Sequence, residues 1–290
     1  MAVMKISAYL DKLEDLIDKK VIVTGGTSGI GLSLVKHLLY KHAKVVVMAR
    51  NLNKANEVKN SLLETFPDNP IEIIKYDQSD KDSIIEGCNE IIAHHKDFYA
   101  LVLNAGIIQS GQNTTYVNEV PQTINTNFVG ASTIINHLLY QLDGTHRIII
   151  QGSCAAGLKI KKPKSLKEQN NKMFRNYFLS KAGVEALFFY HSQRVYPNIS
   201  FYLVEPGVTS TDIIREFPPF IKQAGHVFLK TVSHSSEKAA LTAMVALQSE
   251  TKENAYIVPR GFLTCMGYPK FRRFPHRRER QYLIDLLNQI

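Results

Sequence analysis

Cysteine is scarce in this chain, and the few copies do not cluster. Cys88, Cys154 and Cys265 are the three in 290 residues, with no C-x-x-C spacing among them. Spacing of that kind argues against a zinc site or a disulfide framework and fits a reducing compartment. Long apolar runs are also missing: no segment has 18 apolar residues in succession, so nothing reads as a membrane span. The first twenty residues, MAVMKISAYLDKLEDLIDKK, carry charges throughout and lack the unbroken apolar stretch of a signal peptide. The expectation is a cytoplasmic protein. Repeats, low-complexity tracts and flexible linkers are absent too, and a 44% hydrophobic content suffices for one large core.

Acidic residues are in short supply: 26 Asp and Glu face 35 Lys and Arg, a net charge of +9. The excess is local. Residues 159–167, KIKKPKSLK, hold five lysines and no acid, and residues 270–290 hold six Lys or Arg against Glu279 and Asp285. The rest of the chain is close to neutral, which argues against a uniformly basic nucleic-acid binder. The two segments read either as a solvated face and a charged tail, or as a peripheral contact with anionic lipid through Arg272, Arg273, Arg277 and Arg278.

What the chain does have is alternation. Residues 21–25, 44–49, 71–76, 99–104, 147–152 and 199–204 are short β-rich runs, several nearly all apolar, as expected of parallel strands covered on both faces. The stretches between them are long enough for crossover helices. One of these, LSLVKHLLYKH, places Leu32, Val35, Leu38 and Leu39 on one stripe. The expected fold is α/β: a single doubly wound Rossmann-type domain with a central, mostly parallel sheet flanked by helices. Its expected span is 20–260, with a helical extension over 1–19 and a basic C-terminal tail over 261–290 in the same domain. AYIV (255–258) reads as a last strand, SEKAALTAMVALQSE as a capped helix, and ERQYLIDLLNQI as a short one.

The first strand runs into TGGTSGIG, Thr24 to Gly31. Such a turn brings backbone N–H groups to a pyrophosphate at a helix start, where the dipole also favours negative charge. Gly25, Gly29 and Gly31 permit the close approach, with Thr27, Ser28 and Ile30 between them. At the end of strand 2, an acid would bind the ribose 2′-hydroxyl of NAD, whereas a basic residue suits the 2′-phosphate of NADP. Here Ala49 stands at the acidic position and Arg50 and Asn51 follow, which favours NADP(H). Asp77, ending strand 3, either reaches the adenine amino group or caps the next helix. Asn104 and Gly106 end strand 4 and Ser153 ends strand 5, all at the sheet's carboxyl edge, where ligands of open α/β sheets sit.

Two tyrosine–lysine pairs have a one-turn spacing, Tyr40/Lys44 and Tyr177/Lys181. Tyr40 and Lys44 fall between helix 1 and strand 2, at the amino edge. Tyr177 and Lys181 follow strand 5 on a helix that Ser153 and Asn127 approach. The second pair is the candidate and the first a coincidence of spacing.

Taken in order, TGGTSGIG, LNAG (103–106), the Asn of TNFVG, the Ser of GSCAAG, YFLSK (177–181) and EPGVTST (205–211) resemble the short-chain dehydrogenase/reductase family over residues 20–260. The MARN segment, and the extra residues before Tyr177, look most like its NADP-dependent branch with retinol dehydrogenase-like oxidoreductases. The resemblance implies Tyr177 as general acid/base and Lys181 as the residue that lowers its pKa and holds the nicotinamide ribose. It also implies Ser153 on the substrate oxygen and Asn127 supporting a water-linked proton relay. Gly207, Val208, Thr209 and Thr211 are expected beside the nicotinamide, Val208 through its backbone. The expected substrate is a small-molecule secondary alcohol or carbonyl, and the expected assembly a homo-oligomer. Phe217, Pro218, Pro219, Phe220 and Ile221 read equally as an apolar flap over a lipophilic substrate or as core. Departures are Leu103 for the usual Asn, Thr209 for an aliphatic residue, and the lysine-rich insertion at 158–172. A catalytically idle NADP(H) sensor on the same fold is the competing reading.

Overall fold

The computed structural model describes residues 5–109, 114–158, 161–168, 172–209, 234–261, 264–274 and 280–290. The apolar runs become strands β1 (Lys20–Thr24), β2 (Lys44–Ala49), β3 (Ile71–Lys75) and β4 (Ala100–Leu103). After a small hairpin of β5 (Tyr116–Val117) and β6 (Val120–Pro121) come β7 (His146–Gln151), β8 (Ile199–Val204), β9 (Tyr256–Pro259) and β10 (Pro269–Arg272). The main sheet has the order β3-β2-β1-β4-β7-β8-β9-β10, parallel except for β10, which runs antiparallel to β9.

Helices cover both faces, and period-two alternation divides the strand side chains between them. On one face Ile22, Val46, Leu101, Ile148 and Phe201 pack with α4 (Lys81–His94), α6 (Ala131–Leu139), α7 (Met173–Ser192) and α9 (Gln281–Leu287). On the other, Val21, Val45, Val102, Ile149 and Tyr202 pack with α2 (Gly29–Tyr40), α3 (Leu52–Thr65) and α8 (Ser236–Ala246). Each such side chain, wholly withdrawn from water, contributes about 1.5–3 kcal/mol, so the strands hold their register by burial. In α2 the core-facing residues include Leu34, Val35, Leu38 and Leu39, whereas Leu32 is only partly buried.

Two terminal features exceed the sequence reading. The N-terminal segment holds one short helix, α1 (Ile6–Leu10), and pins itself to the domain by burying Leu10 and Leu16. Part of the basic tail is strand β10, which pairs backbone to backbone with β9 although its side chains are mostly exposed.

The chain leaves β3 at one edge and returns on the far side of β1 as β4. Beyond the carboxyl ends of β1 and β4 the flanking connections diverge and leave a crevice, the usual ligand position of such sheets. One further irregularity points at it. α5 (Gln122–Ile124) continues into α6 through a π turn over Asn125–Gly130, and Asn127 sits in that turn. Turns of this kind inside helices are frequent at functional sites.

Candidate active site

A cleft of about 420 Å³ opens at the crevice. Gly25, Thr27, Ser28, Gly29, Ile30, Gly31, Arg50, Asn51, Asp77, Asn104 and Gly106 all line it. The glycines answer to geometry. Gly25 and Gly29 have φ of 69° and 54°, and a Cβ on Gly31 would lie 2.3 Å from the Gly25 carbonyl oxygen. α2 begins at Gly29 with no side-chain cap from Ser28. The N–H groups of a helix's first turn have no partner within the helix, so this turn suits an anion.

Several of these residues also have structural duties. The Asn104 amide donates to the carbonyls of Thr24 (2.8 Å) and Gly25 (3.3 Å), tying the end of β4 to the glycine turn. Asn51 caps α3, its side-chain oxygen accepting from the Lys54 N–H at 3.0 Å. Asp77 does not cap α4. That cap is Asp80, which accepts from the N–H groups of Asp82 and Ser83, while Asp77 accepts from the N–H and hydroxyl of Ser79. The Asp77 carboxylate also faces the exposed Arg50 guanidinium at 3.8 Å.

The second group of residues adjoins this cleft. Ser153 is buried and caps a turn over Cys154–Gly157, its Oγ accepting from the Ala155 N–H at 3.2 Å. α7 presents Tyr177 and Lys181 one turn apart. Burial pushes the Tyr177 phenol up, and a hydrogen bond with Ser153 opposes the shift. Burial lowers Lys181 to about 8. Its Nζ donates to the Gln151 carbonyl at 3.0 Å and would lie 3.8 Å from a Cβ on Gly106. Desolvation is the largest influence on both groups.

Asn127 acts as a strut. Its side chain accepts from the Ile107 N–H (2.8 Å) and donates to the Ile107 carbonyl (2.9 Å) and to Ser180 Oγ (3.0 Å). Ser180 in turn donates to the Tyr177 carbonyl at 2.8 Å. The π turn is thus fastened to the turn of helix that holds Tyr177. A Cβ on Gly183 would come within 2.4 Å of the Phe128 ring, so glycine is what lets α7 approach so closely.

The segment after β8 is less simple. Gly207 has φ of 77°, and a Cβ there would meet the Cys265 carbonyl at 2.4 Å. The Val208 N–H donates to that same carbonyl at 2.7 Å, and Val208's own carbonyl accepts from the His234 N–H. The Val208 N–H is thus committed to Cys265, which leaves the second lone pair of its carbonyl as the backbone group that can take a further donor. Thr209 bridges to His234. Thr211, the Phe217–Ile221 stretch, Arg277 and Arg278 lie outside the described residues.

Sequence reasoning overlooked Lys54, Gln78 and Ser180. Lys54 lines the cleft four residues after Arg50, a basic residue in the first turn of α3. Gln78 also lines it and donates to the Thr126 carbonyl at 2.7 Å. Ser180 lay in plain view three residues after Tyr177.

A sequence model of the family described as short chain dehydrogenase matches residues 19–221. The chain belongs to the short-chain dehydrogenase family. A short-chain dehydrogenase/reductase of Armillaria gallica is 28% identical over 231 residues, covering 76% of this chain and 74% of the relative. A human polyprenol dehydrogenase is 26% identical over 209 residues, covering 68% and 63%. Among solved structures, an uncharacterized protein of Mycobacterium paratuberculosis superposes with a TM-score of 0.74 at 17% identity, covering 97% and 96%, a likeness of fold. As a short-chain dehydrogenase the chain is an oxidoreductase of CH–OH groups that takes a nicotinamide cofactor. Among the described residues no helix is long and apolar enough to cross a membrane.

Proposed function

We propose that this short-chain dehydrogenase interconverts a secondary alcohol and its carbonyl with NADP(H), using Tyr177 as general acid/base. The observation that carries this reading is the placement of Lys181 at the cleft, its Nζ donating to the Gln151 carbonyl beside Gly106, one helical turn from Tyr177, whose phenol feels Ser153. The glycine cradle fits the cofactor, since a Cβ at Gly31 would fill the space beneath the turn. Residues Thr27 to Gly31 hold the pyrophosphate. Arg50 and Lys54 hold the 2′-phosphate, with buried Ala49 where a competing carboxylate would stand. When bound, the nicotinamide supplies or accepts the hydride.

Ser153 Oγ holds the substrate oxygen within reach of the Tyr177 hydroxyl. The raised phenol keeps its proton at neutral pH, which suits donation to a carbonyl oxygen as it becomes an alcohol. Lys181, near 8, is mostly protonated at pH 7, and its charge offsets the phenolate left behind. In the reverse direction Tyr177 recovers the proton from the alcohol. A lipophilic substrate is supported by the likeness to polyprenol dehydrogenase.

NADPH and NADH oxidation against a panel of lipophilic and small carbonyls, run beside Tyr177→Phe, tests the reading. Turnover with NADPH that disappears in the variant, while NADPH still binds, is the expected result. Weak binding of both cofactors would overturn the site assignment, and preference for NADH would overturn the role of Arg50 and Lys54.

A further inference from the structure

The C-terminal segment reaches the active-site elements through one side chain. Arg280 directly precedes α9 and is largely buried, with its side chain 11% exposed. Its Nη1 pairs with the carboxylate of Glu185, itself 2% exposed, and its Nη2 donates to the Ala156 carbonyl.

The two acceptors belong to the two elements that make the site. Glu185 lies on α7, two turns beyond Tyr177 and one beyond Lys181, so the three share a stripe of that helix. Ala156 lies in the Cys154–Gly157 turn whose cap is Ser153. No other side chain described above touches both the Ser153 turn and the Tyr177 helix at points 29 residues apart in sequence by charge-assisted hydrogen bonds. A guanidinium suits this duty because its planar fork presents two donors at a fixed angle, whereas an ammonium is a single compact charge.

We propose that Arg280 is a positioning residue, whose bridge from Glu185 to the Ala156 carbonyl holds the Ser153 hydroxyl in register with Tyr177. The basic C-terminal segment is then part of the active-site scaffold and not an appendage to it. This rests on the reading of Ser153 and Tyr177 given under the proposed function. Misplacement of a reacting group by about 1 Å can cost on the order of 100-fold in rate, so a bridge of this kind has a large lever on kcat. NADP(H) affinity depends on it less, because the residues from Thr27 to Lys54 that line the cleft lie on other elements.

The test uses the full chain with Arg280→Lys, Arg280→Met and Glu185→Gln, each assayed with the best carbonyl of the panel. Alongside, hydrogen exchange is followed across 153–158, and NADPH binding by fluorescence. Arg280→Met should lower kcat by about 10- to 100-fold with a much smaller change in the NADPH Kd and faster exchange in the Ser153 turn. Arg280→Lys should fall nearly as far, since it keeps the charge and loses the fork. Glu185→Gln removes the charge that pairs with the buried guanidinium and should lower kcat in the same direction, with faster exchange in the Ser153 turn. A folded Arg280→Lys with wild-type kcat and wild-type exchange overturns the proposal, and it decides the matter alone if Arg280→Met does not fold. The two readings fail separately. An active Tyr177→Phe would sink the acid/base assignment while faster exchange in Arg280→Lys still upheld the bridge. An inactive Tyr177→Phe with unchanged exchange in Arg280→Lys would sink only the bridge.

Discussion

Tyr40 and Lys44 stand four residues apart, and so do Tyr177 and Lys181, yet the two regions have little else in common. Tyr40 ends α2 and Lys44 begins β2, so the pair straddles a turn. The Tyr40 hydroxyl donates to Asp11 at 2.5 Å, and Lys44 pairs with Asp18 at 2.9 Å. Carboxylates raise both pKa values there, Tyr40 through its hydrogen bond to Asp11 and Lys44 through its bond to Asp18. Tyr177 and Lys181 share one helix and no carboxylate is among the causes of their shifts. Burial raises the phenol and lowers the amine, so the phenol holds its proton while the amine titrates near 8. Desolvation thus brings the Lys181 amine toward neutrality, whereas both members of the exposed pair are shifted upward, away from it. Spacing alone carries no chemistry; the dielectric around it decides.

The largest expected effect separates the tyrosines. Tyr177→Phe should lower kcat by about 10²- to 10⁴-fold, the usual share of general acid–base catalysis, with NADPH binding retained. Tyr40→Phe should leave kcat within about twofold, because its hydroxyl serves only an exposed contact with Asp11. Steady-state rates for both variants, each checked for NADPH binding, settle the comparison. Equal losses at the two positions would remove its basis.

The lysines differ next, and by pH. Lys181 titrates near 8, so carbonyl reduction by the wild type should hold level below that value and fall above it, as the charge that offsets the phenolate is lost. Lys181→Arg keeps its charge throughout and should lose that alkaline fall, at about a tenfold lower plateau from its bulk. Lys44→Met should reproduce the wild-type profile. A wild-type rate that climbs steadily from pH 7 to 9 would contradict the assignment.

How far the sequence could be read follows from the same contrast. Strands such as KVVVMA were legible because a buried parallel strand must be apolar on both faces, and the glycine turn because its position between β1 and α2 admits little else. β10 was not, since backbone pairing to β9 holds a strand whose side chains read as a charged tail. The proximity of Ser153, Tyr177 and Asn127 could be inferred from the sheet edge that each approaches. The π turn around Asn127, the Ser180 strut and the Arg280 bridge could not. Each depends on a contact between elements far apart in sequence, and a side chain leaves no periodic trace of its partner. Val208 shows the limit from the other side: its motif was recognised, but its N–H is committed to Cys265, a residue with no motif at all.

The smallest effect concerns stability and isolates the buried lysine. The unfolded chain holds the Lys181 proton up to its ordinary value near 10.5, and the folded chain releases it near 8. Between those values the unfolded state binds more protons, so this group makes folding more favourable as pH rises. Below about 8 its burial costs the fold on the order of 3 kcal/mol, and that cost fades toward 10.5. Lys181→Met removes the penalty, so its stability advantage should be greatest at pH 7 and shrink by pH 10. Subtraction from the wild type matters here. Burial raises the thiols of Cys88 and Cys154 to about 12 and about 11, which weakens folding as pH climbs past 9 in both proteins alike. Lys44 has the opposite sign, its raised value adding stability that persists until its own titration, so Lys44→Met should show no gain at pH 7. Urea melts of the two variants and the wild type at pH 7 and pH 10 read the difference. An advantage of Lys181→Met that stays constant across that range would mean Lys181 is not held near 8, and the contrast between the pairs would then rest on position alone.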